Sequence, residues 1–483
     1  MAPNFLTTET MKIKYVTKAP VIRSNVAHIN WPGIPVPSSC VVLAVMFQLE
    51  QSQWWSPELL AARQYSQIEV LLAFVTEAIP FYRQHLKKIG WKKGVTLDAD
   101  IFSKLPILQR NEIQAQSNAI FAHGTTEHGK RYNKYTSGSS GSPLNLMGSE
   151  VSTCLTKAMA FRDDLWQQRD FSKRFLRIRS GRQAAEPLAI KDSPTWGFPA
   201  AGVYDTGPMT VFTHRLPIAQ QAEALRARNP AYIQGYTSNI LELTDYFRAN
   251  NLTLPGLLSV TTYGEPTTED VHAACRDVWG VPVIPIYSCE EFGFIALQCP
   301  QHAHYHVNSE SVLLEVLDEH NQPCKPGQYG RVVLTTLNNF VTPLIRYEIG
   351  DIAQIGEACP CGRGLAVLKN IAGRRRNMAL LEDGVYCIPK VSRDVWRQFR
   401  EVERCQFVQT EKAIIDIRIA VNHPLDDKQK QRLIADVAAA IKHPFSYTVT
   451  EIDDLSRHQA NGKFDTFICE LPWPEKVPPR IIP

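Results

Sequence analysis

The chain has no long hydrophobic run. Its most apolar early stretch, Cys40 to Phe47 (CVVLAVMF), is far too short to cross a bilayer and lacks the flanks of a secretory signal, so it reads as buried structure. A strong charge imbalance is also missing. A formal charge of +4 over 483 residues, with 21% charged side chains, carries no electrostatic signature of a nucleic-acid or membrane-surface partner. The eleven cysteines are odd in number and widely spread, which argues against a disulfide framework and leaves room for a thiolate metal site. A cytoplasmic protein is expected. No internal repeat is visible, and the one Ser/Gly-rich segment lacks the Gly-Lys-Ser/Thr ending of a P-loop, which removes the mechanistic basis for a P-loop kinase or ATPase.

A chain of this length exceeds one average domain, so a large multi-layered domain with a smaller companion is expected. Ser56-Pro57-Glu58 supplies an N-cap, a proline suited to the first turn and an acidic residue for the dipole, predicting a helix through Leu59, Leu60, Tyr65, Ile68 and Leu72 to Pro80. From about 150 to 345, β-rich runs (Leu257 to Thr262, Val281 to Tyr287, Val312 to Leu317, Arg331 to Thr336) alternate with helical stretches (Ala219 to Arg228, Ser238 to Asn250), the pattern of α/β layering. Beyond Arg374-Arg375-Arg376 the pattern changes. Ile415, Ile417, Ile419 and Val421 alternate like a half-buried strand, Asp426 to Lys442 reads as an amphipathic helix, and Tyr447 to Ile452 as another strand, closing the chain with a small β-α-β unit.

The most informative segment is Lys134 to Pro143, KYTSGSSGSP. It has little side chain to bury, yet it can turn tightly, bring backbone N–H groups to an anion and surround it with hydroxyls. Taken alone it is either a phosphate cradle or a flexible linker. Four further segments follow in order: Tyr263-Gly264-Glu265-Pro266, then YSCEEFG from Tyr287 to Gly293, then RYEIGD from Arg346 to Asp351 with Gly373-Arg374 behind it, and Asn461-Gly462-Lys463 near the end. With the Ser/Gly loop, this order resembles the acyl-adenylate-forming ligases, and within them the phenylacetate–coenzyme A ligase-like branch. QLEQSQWWSPELL, AIPFYRQHL and the LPIL at 105 to 108 resemble that branch's N-terminal region, so the likeness spans nearly the whole chain.

The resemblance implies an α/β fold, with an adenylation domain over 1–373, a hinge at 374–376 and a small mobile α+β domain over 377–483. It implies an ATP- and Mg²⁺-dependent ligase that adenylates a small aromatic carboxylic acid and passes the acyl group to coenzyme A. A different acceptor (an amine, or a carrier-protein thiol) and a non-catalytic nucleotide- or zinc-binding scaffold are the alternatives; a homodimer is allowed but not indicated.

By the same likeness, Thr136, Ser137, Gly138, Ser139, Ser140 and Gly141 belong to the β- and γ-phosphates. Gly264, Glu265 and Pro266 belong to the adenine side, with Tyr287 and Ser288 also at the nucleotide. Glu291 matches the glutamate that holds Mg²⁺, a role suited to a hard carboxylate oxygen. Asp351 matches the ribose aspartate, since one carboxylate accepts from both sugar hydroxyls. Arg374 matches the arginine near ribose and phosphate, and Lys463 the lysine that offsets charge in the adenylation transition state. Each has a plainer reading, respectively a turn, a surface Glu-Glu pair, a residue after a glycine, a solvated basic run and an exposed lysine. Departures are visible too: members of the superfamily commonly have Gly and Thr where Ser288 and Glu290 stand, and an aspartate in the hinge where Arg376 and Asn377 stand. His214, Tyr236 and Tyr263, between the loop and YSCEEFG, are candidates to line the acid.

Cys299-Pro-Gln-His302 and Cys359-Pro-Cys361 lie sixty residues apart, with His304 and His306 close to the first. Three thiolates and one imidazole would close a tetrahedral, structural zinc site; free core cysteines are the alternative. Several members of the branch carry Cys and His at the 299 and 306 spacing, which makes Cys299, His306, Cys359 and Cys361 the expected set and His302 the alternative imidazole.

Overall fold

A computed structural model describes residues 22–87, 91–122, 125–135, 144–179, 189–453, 455, 464–472 and 480–482. Its frame is a twelve-stranded sheet with two halves of different character. Strands Val283–Cys289, Ser259–Tyr263, Tyr232–Gly235, Phe175–Arg179 and Met209–Thr213 run parallel, one beside the next. On the other side of Val283–Cys289 the neighbours are antiparallel, through Gly293–Gln298, Tyr305–Val307, Val367–Arg374, Tyr347–Ile355, Tyr329–Thr336 and Val312–Leu317. Val283–Cys289 is therefore the seam.

Both faces are covered, as a parallel sheet requires. Helices Ile218–Arg228, Thr237–Ala249 and Glu269–Trp279 bury Leu225, Leu243, Phe247 and Val271 against Leu176, Ile178, Ile233 and Val260. The opposite face carries helices Pro37–Ser52 and Glu150–Trp166. Helix Pro57–Ala78 begins where the cap signals place it, with Ser56 accepting from the Leu59 N–H. Its Ile68, Leu71, Leu72 and Val75 lie one or two turns apart and pack on Val332, Leu334 and Tyr347 of the antiparallel half; that spacing keeps them on one stripe.

The expectation that Cys40 to Phe47 is buried needs correction. The segment is part of helix Pro37–Ser52, in which Val42 and Met46 (with Leu49 further on) are buried and Leu43 and Val45 pack part-buried beside them, while Val41 and Phe47 are 58% and 68% exposed. A helix lying on a surface buries one stripe, whatever its composition. Among the described residues no helix is long and apolar enough to cross a membrane.

The carboxy-terminal unit carries a four-stranded sheet ordered Ser446–Glu451, Ile414–Val421, Val402–Glu411, Phe467–Cys469. Helix Asp427–Ile441, started by a reciprocal Asp426/Gln429 capping box, links the parallel pair Ile414–Val421 and Ser446–Glu451. Ile415, Ile417 and Ile419 pack against Leu433, Val437 and Ile441, so the period-two and period-3.6 patterns meet in one core. Two buried arginines anchor the large domain. Arg162 reaches Glu310 at 2.8 Å and the Leu49 carbonyl, and Arg169 lies between Asp163 and Asp164 while donating to the Thr261 hydroxyl. The second contact ties helix Glu150–Trp166 to the strand that ends at Tyr263.

Candidate active site

At the carboxyl end of Val283–Cys289, on the seam, opens a cleft. Asp351 and Arg374 are cross-strand partners in antiparallel register, so their side chains emerge on the same face. The Arg374 Nε lies 2.9 Å from Asp351 Oδ1, and its Nη1 donates to the Ile349 carbonyl at 2.8 Å. The Tyr287 hydroxyl, arriving from the seam strand, donates to Asp351 Oδ2 at 2.7 Å. Beside Asp351 the Arg374 guanidinium is pushed further above its ordinary pKa and stays a fixed cation. Burial, then the neighbouring Asp351 charge, hold the Tyr287 phenol protonated, far above its usual range.

The Gly264-Glu265-Pro266 segment forms the facing wall. It can approach because Gly373 has no side chain: at φ +104° a Cβ there would sit 2.7 Å from the Pro266 Cγ. Glu265 points its carboxylate at the start of helix Thr237–Ala249, accepting from the Ser238 N–H at 2.7 Å and hydroxyl at 3.0 Å, and also accepts from the Phe464 N–H at 3.4 Å. The side chain thus fixes the wall, and the backbone around it borders the open space. Glu291, buried, lies 3.7 Å from the Arg110 guanidinium. A carboxylate oxygen at the rim of a cleft is a donor type that suits Mg²⁺ shared with phosphates.

Of the expected nucleotide residues, Gly264, Glu265, Pro266, Tyr287, Ser288, Glu291, Asp351 and Arg374 line this one cleft. Thr136, Ser137, Gly138, Ser139, Ser140, Gly141 and Lys463 lie outside the described residues. Flanking the first group, strands Arg131–Tyr135 and Asn145–Ser149 pair antiparallel, with Tyr135 opposite Asn145. Arg110, Arg376, Asn377 and Asp465 also line the cleft without having been anticipated. Arg110 sits in the short polar helix Arg110–Gln116, where no local pattern marks it; Arg376 and Asp465 pair with each other between the junction and the residues just ahead of strand Phe467–Cys469, a contact that only the tertiary fold creates.

His214, Tyr236 and Tyr263 stand at the carboxyl ends of three strands of the parallel half, Met209–Thr213, Tyr232–Gly235 and Ser259–Tyr263, and form a ring series, 5.6 Å and 4.9 Å between successive centroids. The Tyr263 hydroxyl donates to the Ile178 carbonyl. They stand where open α/β sheets bind ligands, outside the carboxyl ends of the strands, next to the cleft at Gly264.

Cys299, His306, Cys359 and Cys361 converge outside the cleft, toward the opposite ends of the strands that form it, their ligand atoms all within 4.8 Å of one another. Cys299 and Cys359 sulfurs are 3.8 Å apart, matching the roughly 3.8 Å edge of a tetrahedron with metal–sulfur bonds of about 2.3 Å. His306 Nε2 lies 3.4 Å from Cys361 Sγ; burial lowers its imidazole to about 4, leaving it neutral, the ligating form. His302 stacks on His304, whose Nε2 is 3.0 Å from Cys359 Sγ. The four converging groups have the donor chemistry and spacing for a closed divalent site.

No protein-family model matches the chain. Over 404 residues it is 23% identical to phenylacetate-coenzyme A ligase of Thermus thermophilus, covering 80% of this chain and 87% of that one. It is 19% identical over 389 residues to protein CapK of Staphylococcus aureus, with 79% and 82% covered. A solved structure of 2-hydroxyisobutyryl-CoA ligase in its postadenylation state superposes with a TM-score of 0.68 at 16% identity, over 87% of this chain and 92% of that one. The same enzyme in its thioesterification state gives 0.57 at 16% identity, over 87% and 91%. The fold is that of the acyl-adenylate-forming ligases. In sequence the chain is similar to phenylacetate–coenzyme A ligase across most of its length.

The Gly373–Pro266 approach yields a stability prediction. Gly373→Ala should lower unfolding free energy by about 1–3 kcal/mol, from left-handed backbone strain plus overlap with Pro266. Gly384→Ala, at φ +85° with nothing within 4 Å, should show only the backbone part. Urea unfolding of the two variants measures the difference.

Proposed function

We propose that this protein is a cytoplasmic acid–coenzyme A ligase that works through an acyl-adenylate. The observation that carries the proposal is the convergence, around one cleft, of four segments far apart in sequence: Gly264–Pro266, Tyr287–Glu291, Asp351 and Arg374. Each brings a group that a nucleotide needs. The Asp351 carboxylate, oriented by Tyr287 and Arg374, accepts from the two ribose hydroxyls. Arg374 keeps positive charge near the α-phosphate. The Ser/Thr/Gly loop from Thr136 to Gly141 holds the β- and γ-phosphates with N–H and hydroxyl donors. Mg²⁺, when bound at Glu291, neutralises charge on the departing pyrophosphate.

In the first half-reaction a carboxylate oxygen attacks the α-phosphorus, the bond to the bridging oxygen breaks and pyrophosphate leaves. Lys463 offsets the charge that builds on the acid and the α-phosphate. In the second, the thiol sulfur of coenzyme A attacks the acyl carbon, AMP leaves and the thiol proton passes to solvent. Residues 377–483 turn about the 374–376 junction between the two steps. The aromatic series His214, Tyr236 and Tyr263 supports a small aromatic acid, in keeping with the name of the Thermus relative.

Zinc at Cys299, His306, Cys359 and Cys361 has a structural part in this reading. The cluster joins the end of Gly293–Gln298 to the loop before Val367–Arg374, the strand that supplies Arg374. It stabilises the wall of the cleft.

Acid-dependent exchange of labelled pyrophosphate into ATP, with phenylacetate, benzoate and anthranilate as the acids, tests the adenylation step. Lys463→Ala should slow that exchange by about 10²–10³-fold while leaving thioester formation from supplied acyl-adenylate less affected; equal loss in both assays would contradict the role. Metal analysis of the purified chain should find zinc. Cys359→Ser should lose it together with about 3 kcal/mol of unfolding free energy, read by urea titration.

A further inference from the structure

The carboxy-terminal unit is fastened to the parallel half of the large domain by charge. Helix Thr237–Ala249 supplies Glu242 and Asp245, and helix Glu269–Trp279 supplies Asp270. Arg393 reaches Asp245 Oδ2 at 2.8 Å, its backbone N–H donates to Asp270 Oδ2 at 3.0 Å, and the Ser392 hydroxyl donates to Asp270 Oδ1 at 3.0 Å. Arg397 is a second partner of Asp245. Arg404 completes the set, donating from Nη2 to Glu242 Oε1 at 3.0 Å.

Arg404 does more than bridge the two units. Its Nη1 donates to the Leu455 carbonyl at 3.1 Å, and its guanidinium lies 5.9 Å from the centre of the Phe464 ring. Leu455 and Phe464 bracket the segment whose last residue is Lys463. The Phe464 N–H in turn donates to Glu265 on the cleft wall. One guanidinium therefore holds both flanks of the lysine-bearing segment and attaches them to a helix of the large domain.

We propose that Glu242, Asp245 and Asp270 with Arg393, Arg397 and Arg404 form an electrostatic latch. It holds the carboxy-terminal unit in the adenylation arrangement, with Arg404 fastening Leu455 and Phe464 to the large domain. The inference rests on the reading of the chain as a ligase whose small domain turns between half-reactions. The better superposition on the postadenylation than on the thioesterification state (TM-scores of 0.68 and 0.57) agrees with that arrangement. The ion-paired side chains of this set are 21–31% exposed, shielded enough for their pairs to matter and open enough for salt to weaken them. To reach the second half-reaction the latch must open, so its strength partitions the enzyme between the two steps.

The test uses the full chain carrying Glu242→Gln with Asp245→Asn, which keeps side-chain shape and removes charge. Hydrogen exchange over residues 390–398 reads the latch without any substrate. Pyrophosphate exchange with phenylacetate and thioester formation from supplied phenylacetyl-adenylate read the two half-reactions. The latch predicts faster deuterium uptake over 390–398 with the melting temperature retained. It predicts pyrophosphate exchange lowered about tenfold and thioester formation unchanged or faster. The charge-swapped pair Glu242→Arg with Arg404→Glu should recover most of the exchange lost in Arg404→Glu alone. Unchanged deuterium uptake, or equal loss in both half-reactions, would overturn the latch. Absence of exchange in the native chain would instead count against adenylation of that acid, while deuterium uptake would still decide the latch.

Discussion

The cross-strand pair of Asp351 and Arg374, capped by the Tyr287 hydroxyl, is the constraint on which the rest of the site depends. It joins the seam strand to two strands of the antiparallel half. An aspartate buried without such partners would carry a heavy desolvation penalty. With a guanidinium on one oxygen and a phenol on the other, it is held in a single orientation, its remaining lone pairs available to a ligand. The same register fixes Gly373, which allows Pro266 to close the facing wall.

Around that pair the molecule divides its tasks by architecture. The parallel half supplies strand ends and helix starts, including Ser238, whose N–H and hydroxyl immobilise Glu265. The antiparallel half supplies rigid backbone for Asp351 and Arg374, with the cysteine–histidine cluster at the ends of its strands nearest the seam. The carboxy-terminal unit meets the cleft through Arg376 and Asp465 and meets the helices through Arg393, Arg397 and Arg404. In the proposed two-step cycle, charge at a part-exposed boundary would suit a unit that is held and then released, because such pairs are weak enough to break.

Much of this was legible from local signals. The Ser56 cap and the stripe from Ile68 to Val75 mark helix Pro57–Ala78, and the alternation at Ile415, Ile417 and Ile419 marks the strand under helix Asp427–Ile441. These are short-range patterns in which propensity and burial agree. The ordered motifs mark Asp351, Arg374, Glu291 and Gly264–Pro266 in the sequence itself. Other features have no local trace. Arg110 lies in a polar helix that resembles many surface helices, and the latch arginines are spread over a stretch with ordinary charge. Their partners are distant in sequence, so only tertiary placement distinguishes them from solvated side chains. Cys40 to Phe47 misled for the opposite reason: composition reports apolarity, whereas burial depends on which side of the helix faces helix Glu150–Trp166.

The central claim is that Asp351 receives the sugar of an adenine nucleotide in this cleft. Calorimetric titration of the native chain and of Asp351→Asn with AMP and with 2′,3′-dideoxy-AMP tests it most directly, because the two changes remove opposite ends of the same hydrogen bonds. The account predicts that loss of the ribose hydroxyls weakens binding to the native chain by roughly 10–100-fold, and that this penalty largely disappears in Asp351→Asn. An equal penalty in both proteins, or none in the native chain, would contradict it.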